Sequence, residues 1–147
     1  MKIVNLTKND VDSIVQLNLS CFPDGWNQSM LNSAFDDGRF YCIGAFDDDK
    51  LIGALSYSVS VDDADIESVV VIPEYRKSGV AKALVSLAIV KLELLGKQKV
   101  FLEVRKSNIP AISLYEKFEF NKISVRKRYY SDGEDAIIMV KDLIERN

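Results

Sequence analysis

Apolar positions along the chain change period several times, and each change marks a predicted element. Residues 3–6 form a short apolar run that reads as a first strand. Thr7-Lys8-Asn9-Asp10 has the form of a capping box, in which a hydroxyl and a carboxylate satisfy the orphan amides of one helical turn. Beyond it Val11, Ile14, Val15 and Leu19 recur at helical spacing. Pro23 and Gly25 punctuate a turn between Cys21 and Trp26. Asn27 is placed to cap a second helix carrying Met30, Leu31, Ala34 and Phe35.

The period then shortens. Residues 40–46 and 51–61 are aromatic and β-branched runs joined by the acidic turn Asp47-Asp48-Asp49, the pattern of a hairpin. A third run, 66–72, ends at Pro73, and its continuous core Val69-Val70-Val71 suits a strand covered on both faces. A long helix is predicted over 79–95, with Leu84, Leu87, Ala88 and Leu95 on its buried arc and Gly96 at its C-terminal cap. Residues 100–104 give the next strand, reached by a helical crossover and therefore expected to run parallel to the one before. Pro110 starts a helix through Ala111, Leu114, Tyr115 and Phe118. Two final strands, 120–129 and 136–140, flank the turn Ser131-Asp132-Gly133. The expected architecture is α/β: one domain over 1–147 with a mixed sheet of about seven strands.

Composition narrows the chemistry more than the fold. The chain has 147 residues, enough for a domain to bury roughly 70% of its unfolded surface. It is 48% apolar and 28% charged, with no apolar run near the ~20 residues of a membrane span. The N-terminal residues lack a basic flank followed by an apolar core, so no signal peptide is expected and the cytoplasm is the expected location. A net charge of −3 argues against nucleic acid as the main ligand. There is no histidine, which removes Ser-His and Cys-His catalysis and every His-containing zinc site. Cys21 and Cys42 are far apart and are read as reduced thiols, with no metal site expected. A general base must then be a carboxylate, a tyrosine, a lysine or a positioned water.

One loop carries a ligand signal. Pro73-Glu74-Tyr75-Arg76-Lys77-Ser78-Gly79-Val80-Ala81-Lys82 joins the apolar third run to the long helix. A helix N-terminus presents unpaired amides and partial positive charge, which together bind anions. Gly79 lets backbone approach a phosphate, Ser78 offers a hydroxyl, and Arg76, Lys77 and Lys82 add charge. The nucleoside-triphosphate pattern Gly-x-x-x-x-Gly-Lys-Ser/Thr and the dinucleotide pattern Gly-x-Gly-x-x-Gly are both missing. A basic turn capped by Ser78 explains the same residues without a ligand.

Arg76-x-x-Gly79-x-Ala81, after a strand and opening a long helix, resembles the acetyl-CoA loop of the GNAT acetyltransferases. The resemblance implies the GNAT fold: a mixed, mostly antiparallel seven-stranded sheet flanked by about four helices, with a parallel pair splayed at its centre. It also implies acetyl-CoA as cosubstrate. Its diphosphate would lie on the amides of Lys77, Ser78, Gly79, Val80, Ala81 and Lys82, and its pantetheine arm would pair with Val69, Val70 and Val71. Ala81 stands where the nearest relatives have glycine.

Acetylating an amine with a thioester calls for a proton acceptor at the amine and a donor at the departing thiolate. Glu103 is an acid inside the otherwise apolar run Leu102-Glu103-Val104, opposite in facing to its neighbours, and pointing to solvent or pairing with Arg105 explains it equally. Tyr115 reads as a half-buried core aromatic or a proton donor, and Asn108 as a helix cap or a ligand contact. The stretch Leu102-Glu103-Val104-Arg105, Ser107-Asn108, Leu114-Tyr115-Glu116 and Phe118 resembles the ribosomal-protein-alanine N-acetyltransferases (RimI-like enzymes), as does Tyr129-Tyr130 followed by Glu134-Asp135-Ala136 and Met139. So does Phe22-Pro23 with Trp26, into which Asp24-Gly25 is inserted. That likeness implies Glu103 as proton acceptor, Tyr115 as donor to the CoA sulfur and Asn108 as a CoA contact. Glu67 is a rival base on the preceding strand. The implied acceptor is a protein N-terminus, the N-terminal alanine of a basic small-subunit ribosomal protein, whose charge would suit Asp62, Asp63, Asp132, Glu134 and Asp135 if these gather at the site. A small amine or a lysine side chain as acceptor, and a CoA-binding module without catalysis, remain as other readings.

Overall fold

A computed structural model describes residues 1–21 and 26–143. The strand β1 (Lys2–Leu6) runs into the capping box, where Thr7 and Asp10 make the reciprocal bonds predicted for them on a single 3-10 turn. From this turn α1 (Val11–Leu19) follows without a break. The Asn27 side chain accepts from the Met30 amide at 2.9 Å and starts α2 (Gln28–Asp37). Phe22, Pro23 and the Asp24-Gly25 insertion lie outside the described residues.

The hairpin forms from β2 (Phe40–Asp47) and β3 (Lys50–Val59), and β4 (Asp63–Val71) returns antiparallel to β3. Then come α3 (Val80–Leu94), β5 (Lys99–Arg105), α4 (Ile109–Lys117), β6 (Asn121–Arg126) and β7 (Ala136–Asp142). The seven strands make one sheet in the order β1-β2-β3-β4-β5-β7-β6, antiparallel except for the central parallel pair β4–β5. This is the fold class that the pattern and the resemblance imply. Residues 52–57 of β3 are buried without interruption, so both faces of the sheet are covered there. β6, at the open edge, is exposed along its whole length and carries Lys122 and Arg126, which discourage further strand pairing.

Several details differ from expectation: the strand predicted over 66–72 begins three residues earlier at Asp63, and the one predicted over 51–61 ends at Val59. The strand predicted over 120–129 stops at Arg126, and residues 127–135 form a long connection to β7. On α3 the buried arc is Val80, Leu84, Val85, Ala88, Ile89 and Leu92, whereas Leu95 lies just past the last turn and is half exposed. Gly96 closes that end with φ 75°, as a C-terminal glycine does.

The N-terminus of α3 is set close to the sheet by Gly53 on β3. A Cβ built there would lie 3.0 Å from Val80 Cγ1 and 3.2 Å from the Val70 carbonyl oxygen. The carbonyl belongs to the β3–β4 ladder and cannot swing aside, so the helix would have to move. Gly53→Ala is therefore expected to destabilise the protein by about 1–3 kcal/mol, the usual cost of overpacking. A urea midpoint equal to wild type would show that α3 is not seated this closely.

Candidate active site

The parallel pair is short. β4 and β5 are in register from Asp63 opposite Lys99 to Ile66 opposite Leu102, and the pairing ends there. Beyond that point β4 stays with β3 as far as Val71, and β5 stays with β7 as far as Arg105. The two strands thus part, and the edge of β4 from Glu67 onward has no strand beside it. Glu67 itself is skipped by the β3 register, which passes from Tyr57–Ile66 to Ser56–Ser68, so a bulge sits where the pair opens.

A cleft of about 440 Å³ lies over this opening, lined among others by Asp65, Glu67, Phe101, Glu103, Arg126 and Tyr129. Strand alternation puts Glu103 on this side while Leu102 and Val104 are buried on the other. The Glu103 carboxylate does not pair with Arg105. Its Oε1 accepts from the Tyr129 hydroxyl at 2.8 Å, and its Oε2 lies 3.4 Å from Arg126 Nε. Glu67 accepts from the Ser58 hydroxyl at 3.0 Å. Desolvation in the cleft raises the Glu67 carboxyl above the usual carboxylate range; the Ser58 hydrogen bond opposes this, and the charges of Asp65 and Glu103 add to it. Asp65 is raised too, by desolvation first and then by Glu103 and Asp63.

Tyr115 is on α4, 7% exposed, its ring 5.7 Å from that of Phe120. Burial, with a smaller contribution from neighbouring Tyr130, pushes its phenol up to about 12, so at neutral pH it is a proton donor and not an acceptor. Asn108 caps α4, its side-chain oxygen accepting from the Ala111 amide at 3.3 Å. Both thiols are unpaired, and burial pushes Cys42 up to about 12, far from a nucleophilic thiolate.

At the far end of β4 the loop into α3 has the shape of an anion nest. Lys77 at φ 65° and Gly79 at φ 88° bracket Ser78, an alternation of hand that curls successive amides toward one point. The first intrahelical bond runs from the Ala83 amide to the Gly79 carbonyl, and the amides of residues 77–82 have no hydrogen-bond partner among the described residues. Gly79 holds the left-handed φ of 88° that glycine adopts without strain. The Tyr75 hydroxyl bonds Asp47 and ties this loop to the β2–β3 turn.

Three sequence expectations are corrected. The Ser78 hydroxyl is not directed at a ligand but donates to the Tyr75 carbonyl. Arg76 turns back to the sheet, where its Nε donates to the Val71 carbonyl at 3.0 Å, leaving Lys77 and Lys82 as the loop's unpaired cations among the described residues. The five acids expected to gather do not. Asp63 is level with Lys99, six residues and roughly 20 Å along the sheet from Arg105, beside which Asp132 and Glu134 sit. The acidic wall of the cleft is instead Asp65, Glu67 and Glu103. Of these Asp65 was missed, although its place two residues before Glu67 was the available signal. The roles of Arg126 and Tyr129 had none, because they reach Glu103 from 23 and 26 residues away.

Residues 11–120 match the acetyltransferase (GNAT) family. The chain belongs to the GNAT acetyltransferases. Over 152 aligned residues it is 29% identical to an N-alpha-acetyltransferase of Saccharolobus solfataricus, covering 95% of this chain and 91% of that protein. An 84-residue stretch is 44% identical to the ribosomal protein bS18-alanine N-acetyltransferase of Escherichia coli, covering 55% of this chain and 57% of that one. The crystal structure of the Escherichia coli ribosomal-protein-S18-alanine N-acetyltransferase superposes with a TM-score of 0.91 at 30% identity, covering 99% of this chain and 96% of that chain. As a GNAT enzyme the protein is an acetyl-CoA-dependent N-acetyltransferase. Among the described residues no helix is long and apolar enough to cross a membrane.

The raised carboxyl of Asp65 gives the cleft a pH signature. Folding holds this proton more tightly than the unfolded chain does, so ionised Asp65 costs stability. The cost is absent below the unfolded aspartate pKa of about 3.9 and complete once the pH exceeds the folded value. Asp65→Asn is expected to raise the thermal midpoint relative to wild type at pH 7, with the advantage shrinking as pH falls to about 3. A difference that does not change with pH would contradict this.

Proposed function

We propose that the chain, acting as one domain over 1–147 in the cytoplasm, transfers acetyl from acetyl-CoA to the N-terminal α-amine of a protein, its acceptor being the N-terminal alanine of a small-subunit ribosomal protein. The observation that carries the reading is the parting of β4 from β5 beyond Ile66 and Leu102, with two carboxylates at the opening and a nest of unpaired amides at the far end of β4. The names of the Escherichia coli and Saccharolobus solfataricus relatives support the acceptor.

In this reading the CoA diphosphate takes the amides of Lys77, Ser78, Gly79, Val80, Ala81 and Lys82, with Lys77 and Lys82 supplying charge. The pantetheine arm lies along Val69, Val70 and Val71, on the edge that β5 has left. Asn108 contacts CoA through its side-chain NH₂, since its oxygen is held by the Ala111 amide. No acyl-enzyme forms. The α-ammonium, with a pKa near 8, loses one proton to solvent, and the neutral amine attacks the thioester carbonyl while its nitrogen gives a second proton to Glu103, which returns it to solvent. The C–N bond forms, the C–S bond breaks, and the CoA sulfur takes a proton from Tyr115, which solvent restores. Glu67 is the second reading for the base, favoured by its raised carboxyl and its single hydrogen-bond partner, Ser58.

The test pairs a peptide beginning with free alanine against the same peptide with a blocked α-amine, each with acetyl-CoA. Thiol release with the first alone supports the proposal, and equal release would move the acceptor to a side chain or another amine. Tyr115→Phe is expected to lower kcat about 100-fold, the lower end of general acid–base contributions, with CoA affinity almost unchanged. Unaltered turnover would remove Tyr115 from the mechanism. Ala81→Pro deletes one loop amide in the first helical turn, where proline is tolerated, and is expected to weaken CoA binding by roughly 10-fold with folding intact. Calorimetry showing wild-type affinity would place the diphosphate elsewhere.

A further inference from the structure

The connection between β6 and β7 is long, exposed and without regular structure, yet it is fastened at many points. Arg105 Nη1 bonds Asp132 at 2.8 Å and Glu134 at 2.9 Å, and the second oxygen of Glu134 accepts from the Ser107 amide at 2.7 Å. The Lys106 amide donates to the Asp135 carbonyl, and the Asp135 side chain accepts from the Arg128 amide at 3.0 Å. Within the connection the Tyr130 amide donates to the Glu134 carbonyl and the Gly133 amide to the Tyr130 carbonyl. The Arg105 guanidinium lies 4.1 Å from the centre of the Tyr130 ring. These bonds clasp the connection to the end of β5 and the turn into α4, two to four residues beyond Glu103.

Tyr129 stands in the middle of this clasp. Its ring meets Tyr130 edge-on at 5.1 Å, with the Arg126 guanidinium 5.7 Å from its centre, and its hydroxyl reaches Glu103. Glu103 has three side-chain torsions and lies on an open cleft, so β5 alone does not fix where its carboxylate points. The Tyr129 hydrogen bond at 2.8 Å fixes Oε1, while Oε2 keeps only the longer 3.4 Å approach of Arg126. The phenol is held above its ordinary pKa, chiefly because ionising it would break that bond and set two anions together, so it remains a donor.

We propose that Tyr129 is a positioning residue for the reaction: held by the clasp, its hydroxyl orients the Glu103 carboxylate so that Oε2 faces the incoming amine. The inference rests on the reading of Glu103 as the proton acceptor. Orientation of this kind matters because a catalytic group displaced by about 1 Å can lose two orders of magnitude in rate. It also accounts for the Tyr-Tyr and Glu-Asp residues of this segment as one device, since Glu134 and Asp135 hold the loop that carries Tyr129.

The experiment is a double-mutant cycle in the full chain at pH 8, with Tyr129→Phe, Glu103→Gln and both together, reading kcat, acceptor KM and CoA affinity. The phenylalanine keeps both ring contacts, and a thermal midpoint near wild type checks that the loop is intact. The expected result is a fall in kcat of about 10-fold for Tyr129→Phe with CoA affinity unchanged, and no further fall when it is added to Glu103→Gln. A rise in acceptor KM at unchanged kcat would make Tyr129 an acceptor contact and overturn the proposal. Equal loss in the presence and absence of Glu103 would overturn it as well. Full activity of Glu103→Gln alone would remove Glu103 as base and the inference with it, whereas a crippled Glu103→Gln beside an unaffected Tyr129→Phe would sink only the inference.

Discussion

A parallel strand pair that is hydrogen-bonded for four residues and then abandoned is the constraint on which this molecule's chemistry depends. Strand edges are costly to leave unpaired, and buried parallel strands seldom do so without a reason. Here each strand keeps its other neighbour: β4 remains on β3 and β5 on β7, so the sheet survives the gap. The opening places a bare length of backbone next to two carboxylates. The same strand then delivers the chain into the N-terminus of α3, whose amides are left without internal partners. From the opening outward come the carboxylates, the bare edge of β4 and the anion nest, which is the order in which an extended thioester carrying a diphosphate would meet them.

The electrostatics of the opening favour amine chemistry. Asp65, Glu67 and Glu103 crowd one cleft with Arg126 as their near cation, and both β4 acids are held above their ordinary range by desolvation first and then by neighbouring carboxylates, Glu103 among them for each. A site that raises its carboxyls and gathers negative charge attracts an amine and is able to take its proton. Burial raises Tyr115 in the same direction but from a much higher ordinary value, so its phenol stays protonated at neutral pH.

Much of this was legible in the residues themselves. Period changes gave the strands and α-helices found among the described residues, because amphipathic spacing is imposed by the core wherever an element packs on one side. The capping box at Thr7 and Asp10 and the caps at Asn27 and Asn108 are local chemistry and were read locally. Gly79 was read as allowing close approach to a phosphate, and its left-handed φ became visible only in the folded backbone. What the sequence did not show depends on distant pairing. Nothing between residues 63 and 71 says that β5 leaves after Ile66, although the bulged Glu67 marks the place. Arg105 looked like a partner for Glu103 and shares its face of β5, but Asp132 and Glu134 on the β6–β7 connection claim its guanidinium. Strand register sets Asp63 level with one end of β5 and Asp132 beside the other, which dispersed the expected acidic mouth. Ser78 was read as a ligand donor because composition cannot reveal that a carbonyl three residues back claims its hydroxyl first.

If the parted strands are the seat of the reaction, a single complex will show it. The decisive measurement is a crystal structure with a covalent conjugate in which CoA is joined through an acetyl bridge to the α-nitrogen of an alanine peptide. The account predicts diphosphate oxygens within hydrogen-bond distance of the amides of residues 77–82, the pantetheine arm beside β4 from Glu67 to Val71, and the peptide nitrogen at the opening between Glu67 and Glu103. A conjugate bound away from that edge, with its diphosphate off the α3 loop or its nitrogen remote from both carboxylates, would contradict it.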